Sequence, residues 1–220
     1  MMRGAVRTLV PAVLAAVALA GCSSSGSGTA GTDPVSGKTD TADGDGDGGT
    51  DAAEPVAKGI TLGVVGSPCV LPVTFDLAAD WKPKAVEIEP GSDLAALGEQ
   101  GTVTMVCEID AKPAGNIGYL RVWQGKASDG DPQKVLEAFV ADDPDSAEES
   151  YTQTEAGDLA AVEVSYTVDS ELLDEPKTER AFAVATPDGP VVVHLGGLDT
   201  EEHRQMLPAY ELAKKTLKLG

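Results

Sequence analysis

Histidine is almost missing from this chain: 220 residues carry only His194 and His203. With so few imidazoles, no His/Cys cluster has the spacing of a zinc site. No serine sits in a Gly-x-Ser-x-Gly arrangement either, which removes the nucleophile elbow of a hydrolase. Basic residues are scarce, 16 against 36 acidic ones, for a formal charge of −20. Nucleic acid, whose phosphates demand lysine and arginine, is therefore excluded as a partner. A basic patch on anionic headgroups is excluded as a means of membrane attachment for the same reason. No apolar run reaches the roughly 20 residues that a permanent bilayer-spanning helix needs. Cysteine is limited to three, and an odd number in a secreted chain calls for an explanation.

The explanation lies at the start. Arg3 and Arg7 precede an apolar run from about Leu9 to Ala20, the layout of a removable secretory signal. The run ends in Leu19-Ala20-Gly21-Cys22, which resembles the lipobox of bacterial lipoproteins, where the cysteine thiol takes a diacylglycerol and becomes the new N-terminus. Ala18-Leu19-Ala20 also satisfies ordinary signal cleavage, which would release a soluble chain beginning at Gly21. Cysteine arithmetic favours the lipid: with Cys22 acylated, Cys69 and Cys107 remain as an even pair in an oxidising compartment, where a disulfide is expected. Several acyl chains such as palmitate hold firmly, since each buried methylene adds about 0.8 kcal/mol. The signal (1–21) is lost, and with Arg3 and Arg7 gone the formal charge moves from −20 to −22.

Residues 22–58 form the next segment, rich in Gly, Ser, Thr, Asp and Ala and nearly free of large apolar side chains. Such a composition cannot bury enough surface to offset chain entropy, so a disordered acidic tether is expected. As a flexible coil of about 36 residues it spans roughly 30–36 Å. Within it Asp43, Asp45, Asp47 and Glu54 fit the calcium-loop expression D-x-D-x-D-G-x5-E. Carboxylates at alternate positions suit a hard cation. An EF-hand loop is held between two helices, however, and neither Gly37-Lys38-Thr39 nor Pro55-Val56-Ala57 can supply one. The stretch reads as a solvated acidic linker, and no cofactor is expected.

Residues 59–220 are left for a single folded domain. Alternation predicts strands over Val70 to Leu77, Thr102 to Ile109, Ile117 to Gln124, Leu159 to Val168, Glu179 to Thr186 and Val191 to Gly196. Asp93 to Leu97 is read as a helical turn. Cys69 and Cys107 share parity with the core-facing residues of their strands, so a Cys69–Cys107 bridge between neighbouring antiparallel strands is expected, stabilising by about 3–4 kcal/mol in the chain-entropy model. Asp131-Pro132 starts a helix to about Ala141, with Val135, Leu136, Phe139 and Val140 as its apolar stripe. Pro187-Asp188-Gly189-Pro190 turns the last hairpin. Asp199 and Glu202 read as a capping box opening a final helix with Met206, Tyr210, Ala213 and Leu217 on one side, which Pro208 kinks or restarts. Tyr119, Arg121 and Trp123 read as sheet cover, His194 as a partly buried strand residue, and the run Glu171 to Glu175, with Asp174 and Glu179 nearby, as a solvated loop.

Strands joined by hairpins and interrupted by two helices make an α+β domain on an antiparallel sheet. Val73-Thr74-Phe75 before Trp81, the helix at Pro132 to Ala141, the hairpin through Pro187-Asp188-Gly189 and the helix after Leu198-Asp199 resemble the LpqN/LpqT-type actinobacterial lipoproteins, which share the PsbP-like α/β/α sandwich. The resemblance implies a non-enzymatic envelope lipoprotein with no catalytic residue to carry over. The expectation is thus a module on the outer face of the cell membrane, lipid-anchored, that binds another envelope protein or a small ligand. The alternative is an envelope hydrolase working through paired carboxylates about 5–10 Å apart. An exposed Trp81 or Trp123 would support the module.

Overall fold

The computed structural model describes residues 56–88, 95–170, 173 and 175–220. The lipobox cysteine Cys22 and the acidic run Asp43, Asp45, Asp47 and Glu54 lie outside these residues.

Strand β1 (Lys58–Leu62), β2 (Val73–Ala78) and β11 (Lys218–Leu219) form a small antiparallel sheet with β2 in the middle. The remaining strands are β3 (Lys82–Ala85), β4 (Glu99–Gln100), β5 (Val103–Asp110), β6 (Gly118–Gln124), β7 (Ser146–Ala156), β8 (Leu159–Val168), β9 (Lys177–Val184) and β10 (Val191–Gly197). They build an antiparallel sheet in the order β3-β5-β6-β10-β9-β8-β7, with β4 also paired to β5. Among the described residues two α-helices complete the domain, α1 (Pro132–Ala141) and α2 (Thr200–Thr216). The class is α+β with antiparallel sheets.

Strand alternation divides the core. On β10, Val191, Val193 and Leu195 face α2 and the small sheet, where Phe75, Leu77, Phe182, Met206 and Tyr210 pack with them. Val192 faces the other way, onto the Val135, Leu136, Phe139 and Val140 stripe of α1. The large sheet is therefore buried on both sides, which is why β10 reads as a continuous valine run. Each fully buried Val, Leu or Phe contributes roughly 1.5–3 kcal/mol, so the four inward residues of α1 are ample to hold a ten-residue helix in place.

The helix starts follow the sequence closely. Asp131 accepts from the backbone N–H groups of Gln133 at 3.1 Å and Lys134 at 3.5 Å, with Pro132 at the first helical position. Asp199 accepts from Glu202 N at 2.8 Å, but the return half of the capping box is not made. The Glu202 carboxylate instead accepts from Ile117 N at 3.2 Å and Asn116 Nδ2 at 3.3 Å, docking the turn before β6 onto α2. Pro208 lies inside one uninterrupted helical segment.

Three expectations are corrected. The Cys69–Cys107 disulfide is present, with the Cα atoms 6.0 Å apart, yet it does not join neighbouring strands. Cys69 sits in the loop leading into β2, and Cys107 is on β5 of the other sheet, so the bridge staples one sheet to the other. The acids near residue 179 are not uniformly solvated: Glu179 is buried within β9. Strand β7 was not expected at all. It is an edge strand whose side chains are mostly exposed on both faces, so its sequence carries no apolar alternation to betray it.

Candidate functional site

Strand β9 places consecutive residues on opposite faces of the large sheet, and a polar cluster forms on each side. Toward α1, Glu179 meets His194 from β10 and Tyr166 from β8, since Tyr166 pairs Glu179 across β8 and β9. His194 Nε2 lies 2.8 Å from Glu179 Oε2, the Tyr166 hydroxyl donates to the same oxygen at 3.1 Å, and Lys177 Nζ reaches Glu179 Oε1 at 2.5 Å. The Phe139 ring closes over His194 with centroids 5.5 Å apart. Gly196 leaves this corner just enough room, because a Cβ there would come within 3.1 Å of the His194 ring.

Burial alone would push the Glu179 carboxyl up, but the His194 and Lys177 partners outweigh it and hold the group down at about 2. Burial, reinforced by the neighbouring Glu179 carboxylate, drives the Tyr166 phenol far above its usual range. At neutral pH the carboxylate stays ionised and the phenol stays protonated, so the Tyr166 hydroxyl serves as a donor to the Glu179 carboxylate.

Toward α2, Arg180 and Glu163 from β8 lie beside Glu211 and Lys214 from the helix. Lys214 Nζ pairs with Glu163 Oε2, while Arg180 stands 3.4 Å from Glu163 and 3.6 Å from Glu211. A cavity of about 270 Å³ opens next to them, lined by Ser150, Thr152, Thr154, Glu163, Ser165 and Arg180. Its hydroxyls, one carboxylate and one guanidinium suit a small polar ligand. His203, in the first turn of α2, is buried with neither ring nitrogen hydrogen-bonded. Burial, with Arg180 nearby, pulls its pKa down to about 4, so it packs as a neutral ring.

The residues singled out from sequence are thus distributed unevenly. Cys69 and Cys107 are brought together. His194 is a buried strand residue, and what the sequence did not disclose is its pairing with Glu179 and Tyr166. Trp81 and Trp123 are both buried, Trp123 edge-on against Phe139 at 5.4 Å, so neither supplies an exposed aromatic platform. Tyr119 carries the Arg121 guanidinium 4.8 Å above its ring, and Arg121 also pairs with Glu108 at 2.9 Å. Among the described residues no group of three or more His, Cys, Asp or Glu is placed to hold a metal ion, and no helix is long and apolar enough to cross a membrane.

No curated protein matches the chain. Among solved structures it is similar to the solution structure of cyanobacterial PsbP (CyanoP) from Synechocystis sp. PCC 6803, at 10% sequence identity and a TM-score of 0.46, covering 68% of this chain and 87% of that one. The model of the family described as "Uncharacterised lipoprotein" matches residues 39–217, and the chain belongs to that lipoprotein family.

Proposed function

We propose that this chain is an extracytoplasmic lipoprotein of the LpqN/LpqT type, held to the outer face of the cell membrane by acyl chains on Cys22. Its α+β body serves as a non-enzymatic binding or accessory module for another envelope protein or a small ligand. The observation that carries this reading is the Cys69–Cys107 disulfide: it consumes two of the three thiols and leaves Cys22 as the lone cysteine at the lipobox. Membership of a lipoprotein family supports it independently. The binding role is favoured over a carboxylate hydrolase because the most deeply buried carboxylate, Glu179, is tied to three partners, while Glu163 belongs to the opposite face of the sheet. A hydrolase needs one acid raised enough to donate a proton beside a second that stays ionised.

Detergent phase partitioning of the wild-type chain and Cys22→Ala tests the anchor. Wild type is expected in the detergent phase and Cys22→Ala in the aqueous phase; Cys22→Ala remaining with the detergent would refute acylation there. Crosslinking in intact cells then identifies what the body holds, and recovery of a glycan cleaved by the purified protein would displace the module reading.

A further inference from the structure

In a chain with 24% charged residues, positions 59–75 contain no Asp, Glu, Lys, Arg or His. The middle of this stretch is the loop between β1 and β2, and it turns its apolar side chains outward. Val65 is 92% exposed, Val70 64% and Val64 45%. Leu219, 49% exposed, sits at the same end of β2, where it pairs with Val73 and Gly220 N donates to Pro72 O at 2.9 Å.

The loop is not loose. Ser67 N donates to Val64 O at 3.0 Å, closing a turn whose third residue, Gly66, has φ 89°, the positive value a type II turn requires. Val65 is thereby fixed at the apex. Gly63 N donates to Cys69 O at 3.2 Å, Leu71 N to Gly63 O at 3.1 Å, and the Ser67 hydroxyl lies 2.6 Å from Cys69 O and 2.7 Å from Val64 O. Pro68 and Pro72 have no N–H to satisfy. The disulfide pins the base of the loop to β5. The tip carries no ionisable side chain and turns Val64, Val65 and Val70 outward, so these side chains can leave water for the acyl boundary while the backbone groups without an internal partner stay at the hydrated headgroup level.

We propose that the 63–70 loop dips into the membrane surface that holds Cys22, giving the body a second, weak and orienting contact. The choice of that membrane rests on the anchor reading, while the affinity of the loop for lipid does not. The connecting chain permits it. Lys58, at the start of β1, pairs with Ala78 at the far end of β2 from the loop, so reaching the membrane the loop enters requires covering the length of β1, about 17 Å. Lys58 lies 36 residues along the chain from Cys22, far more chain than that distance requires. Protein hot spots favour Trp, Tyr and Arg, and the tip has none of them.

The test uses the full chain carrying Cys22→Ala, which has no lipid of its own, with phosphatidylcholine vesicles in cosedimentation. Lipid-dependent binding is expected, and adding Val65→Asp should weaken the partition coefficient about tenfold or more. Raising the anionic lipid fraction should weaken it too, because the body is acidic. Val65 is so exposed that Asp there leaves the fold intact. In a second arm Val65→Trp reports directly: Trp81 and Trp123 are buried, so a blue shift on vesicle addition comes from the tip. A chain that stays in the supernatant, binding indifferent to Val65→Asp, or an unshifted Val65→Trp emission overturns the proposal. So does a Val65-dependent crosslink to an envelope protein in the absence of vesicle binding. Phase partitioning of the acylated wild type is read separately, so failure of the anchor and failure of the loop are distinguishable.

Discussion

Glu179 and Arg180 follow one another along β9, yet strand alternation gives them different surroundings. Glu179 faces α1, is buried, and has a tyrosine, a histidine and a lysine on its two oxygens. Arg180 faces α2, partly wetted, with longer contacts to Glu163 and to a half-exposed Glu211. The lesson is that an ion pair's worth follows its burial: removing one partner of a closed, desolvated cluster strands the others, whereas a wetted pair is replaced by water.

The comparison is broken most directly by Glu179→Ala, which leaves Lys177 and His194 without their carboxylate. A loss of about 3–5 kcal/mol in urea unfolding is expected. Replacing both Cys69 and Cys107 by serine should cost about 3–4 kcal/mol by the same assay, because the bridge closes a long loop and joins the two sheets.

Acid should separate the two faces. His203 is held near 4 against an ordinary 6.5, so the unfolded chain takes up its proton first. Its contribution is complete above pH 6.5 and is lost as the pH falls toward 4, about 3 kcal/mol in all. Glu179 has a depressed pKa, so its contribution is complete above about 4.5 and is lost only as the pH falls toward 2. Stability measured against pH should therefore decline in two stages, with His203→Leu flattening the first and sparing the second. At the small end, Glu211→Gln should change stability by less than about 1 kcal/mol, because its pairings with Arg180 and Lys214 are long and wetted.

How much of this was readable beforehand depends on the kind of signal. The α1 stripe, its Asp131-Pro132 start and the 187–190 hairpin are local patterns, and the structure has them where the residues call for them. The Cys69–Cys107 pairing was legible from the odd thiol count, but not which elements it joins, since parity along a strand does not say that two sheets exist. Strand β7 was hidden because a solvated edge has no apolar period. Glu179 was hidden because in a chain with 36 acids one carboxylate looks like the others. Its burial depends on Tyr166, Lys177 and His194 meeting it from three strands, and on Gly196 leaving space beside His194, none of which a short window of residues displays. The exposed 63–70 tip was not read from the sequence, where Val70 opened a half-buried strand; its outward direction needed the turn at Gly66.

Mass spectrometry of the protein extracted from its native membrane bears most directly on the whole account. It should find an N-terminal peptide beginning at an acylated Cys22 and, without reduction, a peptide pair linked through Cys69 and Cys107. An unmodified N-terminus at Gly21, or Cys69 and Cys107 recovered as free thiols, would contradict it.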